Sequence, residues 1–215
     1  MSEPELAEVT GTLPLPLVDG CGLAAELRAL LRPGELVADR RGRPRQLPRW
    51  FYQVDSWATA LDLHLTPRFC LWELIGVDVR ETPLLRTFPR YVPTAVTVLA
   101  AHLEVFRQAA GAYVHIAGNG GYRSPAHRLS RFASRHCWAS AANIYRVGDI
   151  LLDDRDVLGR YASLARSVLP ACWIRPYGSG DGEADDHLHL DFGYLLVEPT
   201  ESESDPRPAN GPDRD

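Results

Sequence analysis

GNGGYRSPAH (118–127), SRHCWASAAN (134–143) and DDHLHLDFG (185–193) carry the reading of this chain. In the last stretch His187 and His189 alternate with leucine. In a strand both imidazoles then project from one face, and Asp191 continues their parity. Asp185 and Asp186 stand immediately before them, and His136 lies upstream in the second stretch. A strand face carrying His, His and Asp is a costly way to build a core. A catalytic zinc site takes three protein ligands, commonly histidines, and leaves a position for water. A carboxylate beside that water serves as general base. From spacing alone, HLH also describes a solvated strand face, because HxH is a short and common string.

Working outward, YVHIA at 113–117 reads as a strand ahead of the glycine-rich turn, in which Gly120 and Gly121 are expected to supply positive φ. Val92, Val96, Leu99, Leu103 and Phe106 recur at helical spacing, predicting a helix from near Pro93 that Gly111 stops. A second amphipathic helix is expected over Val157 to Leu169, with Val157, Tyr161, Leu164 and Val168 on one face. CWIRPYG and HLHLDFGYLLV follow as two strands. Near the start, Leu23 to Leu31 predicts a helix ended by Pro33 and Gly34, and RWFYQVDSWATALDLHL reads as extended or mixed structure. With helices early and strands late, the expected fold class is α+β, a small antiparallel sheet with packed helices. The expected organisation is a disordered tail at 1–15, an extension at 16–64 packed on a main domain at 65–198, and a disordered acidic tail at 199–215.

Composition narrows the function classes. A chain of 215 residues with 45% hydrophobic and 24% charged residues matches one ordinary domain. All 23 basic residues are arginine, which codon bias explains without function. A net charge of -5 argues against a nucleic-acid partner. The one basic cluster, Arg40, Arg41, Arg43 and Arg45, sits among Gly42, Pro44 and Pro48 and reads as a solvated loop, with an anion site as the lesser alternative. Cys21, Cys70, Cys137 and Cys172 are scattered without a CxxC pair, so they read as small buried hydrophobes rather than disulfides or a cysteine zinc site. The first residues show no secretory pattern and no run of 18 apolar residues occurs, predicting a cytoplasmic protein with no membrane partner.

Taken together and in this order, GGYRSPAH, SRHCWASAAN and DDHLHLDFG resemble the D-alanyl-D-alanine carboxypeptidase family of zinc peptidases, bacterial enzymes whose metal-site fold is shared with the signalling domain of hedgehog proteins. The family pattern is a glycine-aromatic-arginine-serine turn, a serine-x-histidine, an aspartate seven residues after that histidine, and a terminal acidic-x-x-histidine. LTPRFCLWELIGVD resembles the lead-in, so the likeness covers roughly residues 65 to 197. The resemblance implies one zinc ion with His136 and His189 as ligands, Asp186 as the base that activates water, and Arg123 on the substrate and the developing oxyanion. Ser124 and His187 are implied as substrate-side residues.

The pattern breaks at the aspartate ligand, where this chain has Asn143, although Ser134, His136 and Ala141 are in register. An amide oxygen is a neutral donor, so a metal held by two histidines and Asn143 would keep its full formal charge and be bound less firmly. Three outcomes are open: Asp149, Asp153 or Asp191 replaces the ligand; the site works with Asn143 and a weakly held metal; or the cleft only binds. The expected function is metal-dependent hydrolysis of a peptide or amide bond in a small carboxylate-bearing, amino-acid-derived substrate. Its alternatives are a non-catalytic ligand- or partner-binding relative and a biosynthetic enzyme of another reaction type.

Overall fold

The computed structural model describes residues 15–180 and 182–199. In chain order the elements begin with β1 (Leu17–Asp19), α1 (Ala25–Leu31), β2 (Leu36–Ala38), β3 (Pro44–Gln46), β4 (Trp50–Gln53) and α2 (Trp57–Asp62). Next come β5 (His64–Thr66), β6 (Phe69–Cys70), α3 (Leu71–Ile75), α4 (Pro83–Thr87), β7 (Tyr91–Pro93), α5 (Val96–Ala110) and β8 (Val114–Ile116). The last are β9 (Ala141–Val147), β10 (Ile150–Leu151), α6 (Arg155–Val168), β11 (Trp173–Ile174) and β12 (Leu188–Asp191).

The architecture is mixed α and β, with six helices and small antiparallel sheets among the described residues. The main sheet has five strands, in the order β10-β9-β12-β11 with β8 also paired to β9. A three-stranded sheet, β1-β4-β7, and two hairpins, β2-β3 and β5-β6, precede it. Strands therefore recur from Leu17 to Asp191 rather than clustering late. The early ones are only two to four residues long, too short for a period-2 pattern to stand out.

The two long helices follow directly from their sequences. In α5, Val96, Leu99, Leu103 and Phe106 are fully buried on one stripe, and Gly111 ends the helix in the left-handed region at φ 64° with its N–H on Arg107 O. Asp154 caps α6 by accepting from the Asp156 and Val157 amides, and Asp156 adds a negative charge to the first turn. α5 and α6 pack on each other, and both lie against the main sheet. The buried face of α6 is carried by Leu158, Tyr161, Ala162 and Ala165; Val157, Leu164 and Val168 are only partly buried.

One hydrophobic cluster unites Leu15, Val54 and Ala60 with Leu99, Leu103, Ile144, Leu188 and Leu190. Leu15, expected in a disordered tail, is thus a core residue; the remainder of both expected tails lies outside the described residues, except Pro199. The 16–64 segment shares this core, and β7 completes the sheet that β1 and β4 begin.

The arginine-rich segment is the β2–β3 hairpin rather than a free loop. Its reason is Asp39, buried at the turn, which accepts from the Arg41 and Arg43 amides and pairs with the side chains of Arg43 and Arg45. Burial works against the Asp39 carboxylate, but these donors outweigh it and hold its pKa well below the usual range. Of the cysteines, only Cys137 is buried; Cys21 is exposed, and Cys70 and Cys172 are partly so. No helix among the described residues is long and apolar enough to cross a membrane.

Candidate functional site

The main sheet has two chemically opposite faces. Leu188 and Leu190 of β12, with Ala142 and Ile144 of β9, turn into the core at zero exposure. The alternate residues, His189, Asp191 and Asn143, turn to the other face. Register makes the site: His189 pairs directly across from Asn143, and Asp191 from Ala141 on one side and Trp173 on the other. Extending β11 by one residue puts Arg175 beside His189, where its N–H donates to His189 O at 3.0 Å. One transverse row thus runs Arg175, His189, Asn143. Trp173 shares Arg175's parity and stands edge-on to the His189 ring, centroids 5.8 Å apart.

The opposing wall is the 118–139 segment, which lies over this polar face. His136 sits in a 3-10 turn, Arg135–Trp138, whose last residue is followed by Ala139 at φ 50°. The turn brings the His136 ring to the His189 ring, centroids 5.2 Å apart at 70°. Gly120 and Gly121 precede this turn in the segment and are not at positive φ: that conformation falls on Asn119, φ 53°. They are glycine for space. A Cβ on Gly121 would lie 2.2 Å from Leu74 O, and one on Gly120 would lie 2.6 Å from Ala117 O.

Hydrogen bonds set the tautomers. His136 Nδ1 donates to Gly121 O at 3.0 Å, leaving Nε2 as the lone-pair nitrogen. His189 Nε2 donates to Asp191 Oδ2 at 3.2 Å, leaving its lone pair on Nδ1, which stands 2.7 Å from Asn143 Oδ1. Two acceptors at that distance require a cation or proton between them, or the amide turned end for end so that Nδ2 donates. Both rings are held neutral. Burial is the main cause, lowering His136 far below its ordinary value and His189 to about 4; Arg175 adds to both, while Asp191 works against it at His189.

This donor set fits a divalent cation: two neutral imidazole nitrogens and an amide oxygen, with each imidazole oriented from behind by an acceptor, as metal-ligating histidines usually are. Among the described residues no group of three or more His, Cys, Asp or Glu side chains could hold a metal ion; the third side chain of this set is an amide. Of the candidate replacements, only Asp191 is at the site, and it stands behind His189. It also accepts from the Gly193 amide. Asp149 and Asp153 follow the far end of β9, both exposed.

The other expected residues divide. Arg123 is buried against the site turn, where Nε and Nη2 clamp Asn119 O at 3.3 and 3.2 Å, and its N–H donates to His136 O. Ser124 is turned away: its hydroxyl donates to Glu81 at 2.7 Å. The Asp186 side chain is 79% exposed and accepts from His187 Nδ1 at 2.5 Å. That leaves His187 Nε2 buried without a hydrogen-bond partner. His187 lies just outside β12, so parity alone does not position it. Asp78 and the Leu129 amide take both nitrogens of His127, nearby in sequence.

Arg175 and Trp173 are the site residues that sequence reading missed. Their signal, alternation in CWIRP, is only two strand residues long and acquires meaning only through pairing with β12. Comparison of the chain with family models, curated proteins and solved structures returned no match.

Proposed function

We propose that this chain is a metal-dependent hydrolase of a peptide or amide bond in a small carboxylate-bearing substrate, with a fold of the DD-peptidase type. The observation that carries the reading is the contact of His189 Nδ1 with Asn143 Oδ1, two acceptors 2.7 Å apart in a buried site. His136, Asn143 and His189 would hold the ion, zinc in the first instance. When bound, such an ion supplies Lewis acidity to a carbonyl and to a water. Asp191 and Gly121 O keep the two imidazoles in their ligating tautomers. Arg123 contributes fixed positive charge for a substrate carboxylate or a developing oxyanion. The Asp186–His187 pair is the proton acceptor of the reading, with Asp186 holding the His187 Nδ1–H.

The test is elemental analysis of protein purified without added metal, beside a His136→Ala, His189→Ala double variant. Near-stoichiometric zinc that the double variant lacks is the expected result, followed by cleavage in a panel of D- and L-dipeptides. Absence of metal, with no uptake at micromolar zinc, would sink the hydrolase reading.

A second reading has its own observation. Asn143 is an amide, and turned end for end it donates to His189 Nδ1 and satisfies the ring without a metal. The cleft would then bind a ligand without cleaving it. Zinc-free protein that still binds dipeptides would favour this alternative.

A further inference from the structure

His136 and Cys137 point to opposite sides of one turn, and on the Cys137 side lies a cleft of about 300 Å³ between the β2–β3 hairpin and the 125–137 loop. The Ala133 amide donates to Ala38 O at 3.0 Å and pins the two walls together. Leu47, Ala133 and Cys137 are buried in its lining, whereas Leu36 and Phe132, 67% and 54% exposed, offer large apolar side chains to solvent beside it. Exposed apolar surface gathered around a concavity is a recurrent mark of a ligand site.

The polar side chains of the lining are all able to donate. Arg131 makes no hydrogen bond or ion pair among the described residues, while Arg32, also in the lining, is committed to Glu35 at 2.8 Å. Ser130 Oγ accepts from the Cys137 thiol at 3.5 Å. As the acceptor in that contact, Ser130 keeps its own hydroxyl hydrogen to donate. A guanidinium and a hydroxyl, from residues adjacent in the chain that line one cleft with buried Leu47 and Ala133, suit an anion carrying an apolar body.

We propose that this cleft binds a small amphipathic carboxylic acid, its carboxylate on Arg131 and Ser130 and its hydrocarbon on Leu36, Leu47 and Phe132. A single uncommitted guanidinium suits one carboxylate better than a dianionic phosphate, since the planar fork meets both carboxylate oxygens. The volume suits about ten non-hydrogen atoms, at the roughly 30 Å³ that a water occupies in the liquid. The site stands independently of the hydrolase reading.

Octanoate is the probe, titrated calorimetrically into the full chain, with octanol and octylamine as controls and with zinc present or chelated. Saturable octanoate binding, unchanged by zinc and at least about tenfold tighter than octanol, is expected. Arg131→Gln, an exposed substitution, should weaken octanoate at least about tenfold and leave octanol unchanged. Phe132→Ser should weaken both, with far-UV circular dichroism confirming the fold. Octanoate that fails to saturate by low-millimolar concentration, or that binds Arg131→Gln as it binds the wild type, overturns the proposal. Binding that emerges only when residues 200–215 are removed overturns it too, assigning the cleft to the chain's own C-terminal segment.

Discussion

Two buried polar clusters flank the 118–139 segment, and they are satisfied to different degrees. In the first, Asp78, Glu81, Asn119, Ser124 and His127 account for one another. Glu81 accepts from the Ser124 hydroxyl and amide, the Asn119 amide nitrogen and the Thr82 amide. Asn119 Oδ1 accepts from the Asp78 amide, and His127 uses both nitrogens. In the second, His189 Nδ1 faces another acceptor and His187 Nε2 faces nothing. A network with every group matched lowers its own energy and holds a loop in place. A buried site with lone pairs left over is incomplete as protein alone, and that incompleteness is what a ligand can use. The first cluster positions the turn that carries Arg123; the second presents the chemistry.

The comparison is broken most forcefully at Glu81. Glu81→Ala strands several buried donors and should cost about 3–5 kcal/mol of unfolding free energy, read by urea denaturation, without altering zinc content at native concentrations of denaturant. A loss below about 1 kcal/mol would mean that the first cluster is not structural. At the second cluster, His189→Ala should weaken zinc binding by about a hundredfold or more, measured by competition with a chromophoric chelator. An equal zinc affinity in that variant would remove His189 from the donor set.

Asn143→Asp sharpens the contrast because its sign depends on the ion. With zinc, affinity should rise by about tenfold to a hundredfold, since a carboxylate replaces a neutral amide. With chelator, the variant should be less stable than the wild type by about 1–2 kcal/mol, because a new buried carboxylate meets the His189 lone pair. Destabilisation both with and without zinc would count against a metal position there.

The smallest effect concerns pH. Burial works against the Asp78 carboxylate, but the Arg80 and His127 hydrogen bonds outweigh it and lower its pKa to about 2. A carboxylate depressed in the folded state adds stability above its unfolded value near 4, and that stability is lost as pH falls from about 4 to about 2. Asp78→Asn should flatten this part of the stability profile relative to wild type. An unchanged slope would show that Asp78 carries none of it.

How much of this was legible beforehand differs by residue. The stripe Val96, Leu99, Leu103, Phe106 with Gly111 declared α5, because helical spacing and a left-handed cap are local properties. His189 and Asp191 were legible as one face for the same reason: parity needs only four strand residues. The purpose of Gly120 and Gly121 was not legible, since the atoms they avoid belong to Leu74 and Ala117. Nor was the hairpin at Arg43 and Arg45, whose organising carboxylate, Asp39, looks in sequence like one more loop charge.

By itself, then, the sequence determined the long helices, the amphipathic strand 188–191 and the types of side chain available for chemistry, all of which rest on short-range periodicity and residue identity. Tertiary structure decided which of those side chains meet. Pairing of β12 with β9 and β11 aligned Arg175, His189 and Asn143 in one row. The 3-10 turn at 135–138 carried His136 across to them. Packing also sent Ser124 to Glu81 and Asp186 to solvent, because a side chain's partner is set by where burial and hydrogen bonding are best satisfied, and that depends on residues distant in the chain.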